Sequence, residues 1–440
     1  MKLVPNMTAE GGVRVGFVGL THLGIVSSAA VAERGFDVVC VDPNRLLISD
    51  LNSGALPVQE PGLDELVASN RERMRFTSDF SELASCSIVY ISMDVPTDDL
   101  GRSALDPIRD LCKTVVPHLP DEGVLVVLCQ VPPGFTRSLT AIPHKRLVYQ
   151  VETLVFGRAV ERALHPERFI IGLDDSTGPI PEPLKTLLES FGCPILPMGY
   201  ESAELAKISI NMCLVASVSV ANTMAEICES VGADWSEIVP ALRLDRRIGQ
   251  FSYLQPGLGI AGGNLERDLA TVIQLSEAHN TDGGVVRAWL GNSRHRRNWV
   301  ADKLLSRASD LGDTPAVGVW GLAYKEETHS IKNSPSLATI RQIPQQWPVF
   351  VHDPVVTCTD FGRADVYQRS SPLDVLADCD VLLIMTPWNH YRTVSTVEIA
   401  SRMRGRLVLD PFAVLDATEA CQAGLEYMTL GVSSIDKEHS

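Results

Sequence analysis

The chain has 440 residues, too many for one ordinary core, so two or three domains are expected. Its 45% hydrophobic and 21% charged residues suit a globular protein. A net charge of −16 and a pI near 5.1 argue against a nucleic-acid partner, because phosphate binding needs a basic surface. No run approaches the roughly 20 apolar residues of a membrane span, and the first twelve residues lack an apolar signal core. Ten cysteines fall without CxxC spacing, many in apolar runs (Cys40, Cys129, Cys213), which predicts a cytoplasmic protein with reduced, buried thiols and no metal site.

Val13 to Gly19 is a short apolar run ending in glycine, Ile25 to Arg34 is helix-like, and Val38 to Val41 is a β-branched run ending at Asp42. Strand, helix and strand with an acid at the second strand's tip is the layout of a dinucleotide-binding unit. In the loop Gly19-Leu-Thr-His-Leu-Gly24, Gly19 and Gly24 suit the tight turn and the helix packing. Thr21 stands where a full fingerprint has its middle glycine and puts a branched side chain where a pyrophosphate should pass. Asp42 favours dinucleotide binding over a decayed pocket. Its carboxylate would accept bonds from ribose hydroxyls and repel a 2′-phosphate, so NAD is expected rather than NADP, held by Gly19, Thr21, Leu23, Gly24 and Asp42.

Further strands are expected at Ile88–Ser92, Val124–Cys129 and Arg168–Gly172, with helices between them, which implies a parallel, doubly wound sheet. From Glu201 to about Gly232 the chain reads as one long apolar helix. It is either a buried helix or a central one that joins two domains and packs on a second subunit. Strand-like runs at Val317–Leu322, Val349–His352, Val381–Met385 and Leu407–Leu409 predict a second unit of the same kind. The expected fold is α/β: two Rossmann-like doubly wound domains, 1–200 and 311–440, joined by a long central helix in a helical region at 201–310 that serves dimerisation and the active site.

Lys207 and Asn211 are spaced i, i+4 and share a helix face. A lysine among apolar neighbours is costly unless it is used, although a solvated lysine beside a capping-type asparagine is the alternative. Residues 256 to 268 read Pro-Gly-Leu-Gly-Ile-Ala-Gly-Gly-Asn-Leu-Glu-Arg-Asp. Such a loop, with Gly257, Gly259 and Gly262, can wrap a sugar with backbone amides. Asp268 can take up a proton as a hydroxyl is oxidised, or cap a helix opposite Arg267.

That stretch closely resembles the active-site loop of the UDP-glucose/GDP-mannose dehydrogenase family, in which a Gly-rich loop is followed by Cys-Leu-Pro-Lys-Asp. Asn264 stands in place of the family's nucleophilic cysteine. Other landmarks follow in family order from about Val13 to Asp410: Glu60-Pro-Gly-Leu, Val95-Pro-Thr, Val131-Pro-Pro-Gly, His165-Pro-Glu-Arg, Leu244-Asp-Arg-Arg-Ile-Gly and Gly321-Leu-Ala-Tyr-Lys. The resemblance implies that Pro96, Thr97 and Gln130 lie along the cofactor. It implies that Lys207 and Asn211 stabilise oxyanion charge and that Glu152 is a retained active-site acid. Arg247, Tyr253, Gly257, Gly259, Gly262, Lys325 and Lys332 would meet a nucleotide-sugar substrate. It also exposes losses. Gln130 replaces a threonine that helps place water, Phe156 a glutamate that assists hydrolysis, Lys332 an arginine, and Phe412 another arginine.

An amide cannot act as a thiolate does. The expected function is therefore an NAD-dependent, two-electron oxidation of a UDP-hexose-like sugar, without the thioester step. An isomerase that keeps its NAD, a non-catalytic nucleotide-sugar-binding protein and an ordinary four-electron 6-dehydrogenase are the alternatives. A homodimer is expected.

Overall fold

The computed structural model describes residues 12–96, 98, 103–357 and 360–433. Thr97 lies outside the described residues. The chain divides between Ser209 and Ile210, inside the long helix Tyr200–Val231.

The N-terminal unit is an eight-stranded sheet. In chain order its strands are β1 (Arg14–Val18), β2 (Asp37–Val41), β3 (Met74–Thr77), β4 (Ile88–Ile91), β5 (Val124–Val127), β6 (Leu147–Gln150), β7 (Phe169–Leu173) and β8 (Ile195–Gly199). They lie side by side as β3-β2-β1-β4-β5-β6-β7-β8. Every residue of β4, β5 and β6 is buried, as expected of strands covered by helices on both faces. The core residues Val15, Phe17, Val38, Ile88, Val126 and Val148 come from five of these strands.

The second unit carries β9 (Val317–Trp320), β10 (Val349–His352), β11 (Val366–Gln368), β12 (Val381–Ile384), β13 (Leu407–Leu409) and β14 (Glu426–Met428). Their order, β11-β10-β9-β12-β13-β14, is the doubly wound order with its switch point between β9 and β12. All strand pairs in this sheet are parallel.

Two expectations are corrected. The first sheet is not wholly parallel: β7 runs antiparallel to β6, with Tyr149 opposite Gly172 and Gln150 opposite Ile171. A strand buried on both faces reads as the same apolar run in either direction, so composition does not give its sense. The long helix is also not buried along its length. Val220, Met224, Ile227 and Val231 are exposed at near-helical spacing, and Cys213 is exposed as well. By length and mean hydropathy (1.5 over its most apolar window) this helix could cross a membrane. Glu204, Asn211 and Asn222 are buried along it.

Candidate active site

β1 feeds the helix His22–Glu33 through the glycine loop. Gly19 has φ +90°, and a Cβ there would come within 2.7 Å of the Met93 side chain. A Cβ on Gly24 would run into the Gly19 carbonyl, so strand and helix approach as only glycine allows. Asp42 closes the loop: one carboxylate oxygen accepts from the Leu20 amide at 2.8 Å and the other from the Asn44 amide at 2.9 Å.

The Thr21 side chain is hydrogen-bonded across the loop. Its hydroxyl accepts from the Asp94 amide at 2.9 Å and lies 3.4 Å from the Ser92 carbonyl, which ties the loop to the end of β4. It makes no side-chain cap to its own helix. The first-turn amides are thus left for an anion, and the positive end of the helix dipole favours one there. The Leu23 side chain is buried and lines a mostly apolar cavity of about 60 Å³ with Phe17 and Tyr90, so only its backbone can serve a cofactor. Pro96 is exposed in the loop after β4, and Gln130 is buried just after β5. These residues fit a dinucleotide: a cradle that a side chain would fill, an uncapped helix start and an acid at the tip of β2.

The same unit pairs Lys207 with Glu152. Nζ lies 2.8 Å from Oε1, with side chains only 12% and 14% exposed. The other Glu152 oxygen accepts from the Leu154 amide at 2.9 Å. One turn earlier on the long helix, Glu204 accepts from the amides of Gly134 (2.6 Å) and Thr136 (2.8 Å). It thereby fixes the Val131-Pro-Pro-Gly turn, and burial raises its pKa. Sequence reasoning missed Glu204 as an anchor, although it lies within the motif of Lys207.

In the second unit, Asn211 donates to the buried Asp268 carboxylate at 2.5 Å, and the Arg267 guanidinium lies 3.5 Å from its other oxygen. Asp268 is the fifth residue of the helix Asn264–His279, which excludes the capping alternative. Asn264 is that helix's first residue and is exposed. The glycine loop before it is held from several sides. The Gly257 amide donates to Asn222 (2.8 Å) and the Ile260 amide to Ser293 (2.7 Å). Asn333 donates to the Gly262 carbonyl (3.1 Å), and the Gly262 amide to the Lys332 carbonyl (3.2 Å). Gly259 has φ +74°, and a Cβ there would enter the Ser293 carbonyl. A Cβ on Gly262 would touch the Tyr324 ring, and one on Gly263 would lie 3.6 Å from Lys332 Nζ. Lys325 Nζ sits 5.9 Å from the centroid of that tyrosine ring, whose hydroxyl burial pushes up in pKa. The loop after β9 therefore meets the glycine loop, and Lys332 reaches the start of the Asn264 helix. Arg247 stays apart: its side chain is 89% exposed and chelates Asp245 at 2.6 Å. Tyr253 is half exposed.

Three family models match successive parts of the chain: the NAD binding domain of the UDP-glucose/GDP-mannose dehydrogenase family at residues 13–191, its central domain at 201–292 and its UDP binding domain at 318–417. The chain belongs to the UDP-glucose/GDP-mannose dehydrogenase family. UDP-glucose 6-dehydrogenase TuaD of Bacillus subtilis (strain 168) is 28% identical over 433 residues, 95% of this chain and 93% of its own. The structure of a UDP-glucose dehydrogenase from the archaeon Pyrobaculum islandicum is 25% identical, with a TM-score of 0.82 over 97% of this chain and 99% of that one. The UDP-D-ManNAc dehydrogenase of Pyrococcus horikoshii shares the fold at 21% identity, with a TM-score of 0.81 over 95% of this chain and 99% of that one. As a member of the UDP-glucose/GDP-mannose dehydrogenase family the protein is an NAD-dependent dehydrogenase of the nucleotide-sugar class, with NAD as its cofactor.

Proposed function

We propose that the protein oxidises a UDP-hexose-type sugar nucleotide by two electrons and stops at the carbonyl. What supports this is that the retained groups are paired within their own units, while the resemblance puts Asn264 at the position of the family's nucleophile. Lys207 is held by Glu152 and Asn211 by Asp268, while the helix start where the family places its cysteine bears Asn264. NAD, when bound, supplies the hydride acceptor. Asp268 takes the hydroxyl proton, directly or through water, and Asn211 fixes its carboxylate for that task. Lys207 and Asn211 stabilise the oxygen as negative charge develops. Asn264 can donate a hydrogen bond to the sugar but cannot capture a carbonyl covalently. Cys129, beside Gln130, offers no substitute. Its thiol donates to the Ile91 carbonyl at 3.2 Å, and burial pushes its pKa well up, so the thiolate is suppressed.

On this reading Gly19, Thr21, Leu23, Gly24, Asp42, Pro96 and Gln130 line the NAD site. Gly257, Gly259, Gly262, Lys325 and Lys332 hold the nucleotide sugar in a helical region and a C-terminal domain divided near residues 201 and 311. The enzyme works in the cytoplasm as a homodimer. The exposed stripe Val220, Met224, Ile227, Val231 supplies the apolar contact, and Arg247 and Tyr253 lie exposed on the same unit for use across it.

A panel of UDP-hexoses with NAD, read by NADH yield and product mass, tests the proposal. One NADH per sugar with a carbonyl product is expected. Two NADH with a uronic acid overturns it. Interconversion of sugars without net NADH makes the protein an isomerase, and a thermal shift with a sugar nucleotide but no turnover makes it a non-catalytic nucleotide-sugar-binding protein.

A further inference from the structure

Losing the nucleophile does not by itself stop oxidation at the carbonyl. An aldehyde adds water to give a geminal diol. That diol can lose a hydride from carbon to NAD and a proton from oxygen, giving the acid and a second NADH. A two-electron enzyme must therefore also keep water from the carbonyl. Presupposing the two-electron reading above, we propose that Phe156, backed by His22 and Glu60, is the wall that does so.

Phe156 lies four residues after Glu152, on the loop between β6 and the helix Ala159–Leu164. Its ring stacks on His22 with centroids 4.2 Å apart and planes 26° from parallel. His22 is the first residue of the cofactor helix and is buried. Its Nε2 lies 3.0 Å from one oxygen of the buried Glu60, whose other oxygen accepts from the Ala159 amide at 2.7 Å. One carboxylate thus fixes both the histidine under the ring and the helix that ends the loop. The ring bridges the glycine loop of the NAD site and the segment that grips Lys207. It is 39% exposed, so an apolar surface stays open there. A hydrocarbon face offers no acceptor to orient a water for attack, and the buried His22–Glu60 hydrogen bond keeps it from swinging away.

The test compares the unaltered enzyme with Phe156→Gln and His22→Ala, each in excess over UDP-glucose with NAD in ¹⁸O-labelled water. The expected result is one NADH per sugar for the unaltered enzyme. Both variants should approach two, with label in a carboxylate product. Hydrogen exchange of the amides of residues 152–157, measured without ligands, should quicken in His22→Ala as the ring loses its backing. If the unaltered enzyme gives one NADH and both variants also stay at one, the wall is refuted and the two-electron reading stands. Two NADH from the unaltered enzyme overturns both.

Discussion

Lys207→Ala separates catalysis from packing. The pair it breaks is mostly buried, with Nζ 2.8 Å from Glu152 and both side chains under 15% exposed. Removing one member of a fully buried pair costs about 3–5 kcal/mol, chiefly because a charge is stranded; the slight exposure here puts the cost at about 3 kcal/mol. Among the described residues Glu152 then keeps only the Leu154 amide. Turnover should fall by about 10²–10³, the scale for one lost oxyanion donor. Adding Glu152→Gln removes the stranded charge, so the double variant should regain most of the lost stability while turnover stays low. Urea denaturation reads the first quantity and NADH release the second. If folded Lys207→Ala turns over within about fivefold of the parent, Lys207 stabilises no developing charge and the reasoning fails.

Other consequences are equally direct. Gly259→Ala forces a left-handed residue into the Ser293 carbonyl and should cost about 3 kcal/mol or more in chemical denaturation, whereas Gly257→Ala, with open space around it, should cost under ~1 kcal/mol. Burial pushes Asp410 up to about 6 from its ordinary 3.8. The folded chain therefore binds that proton more tightly than the unfolded one. Its contribution to stability should be full below about pH 4 and fade as pH rises to about 6, a slope that Asp410→Asn removes. Met224→Asp, in the exposed stripe, should convert a dimer to monomers in sedimentation; a parent that is already monomeric at micromolar concentration counts against the interface. Asn264→Cys alone should yield no acid product by mass, because Gln130 and Phe156 still stand where water is handled in the family.

The local sequence determined the elements and much of the candidate site. β1, β2, β4, β5 and β9 were legible because strands buried on both faces must be apolar throughout. The glycine loops were legible because their backbones demand residues without a Cβ, as the φ values of Gly19 and Gly259 show. The family landmarks, in order along the chain, placed Lys207, Asn211 and Asp268. Tertiary structure alone decided the rest. The antiparallel β7 depends on which neighbour the strand finds, not on its residues. The hydroxyl of Thr21 turns to Asp94, seventy-three residues away, so no local pattern could show that it ties the glycine loop to the end of β4. Lys207 and Glu152, and likewise Asn211 and Asp268, become pairs only when the long helix packs, since each joins residues more than fifty positions apart. The clamp of Phe156 on His22 and Glu60 joins a helix start and two loops far apart in the sequence, and its physics is that of contact and burial, which sequence spacing does not record.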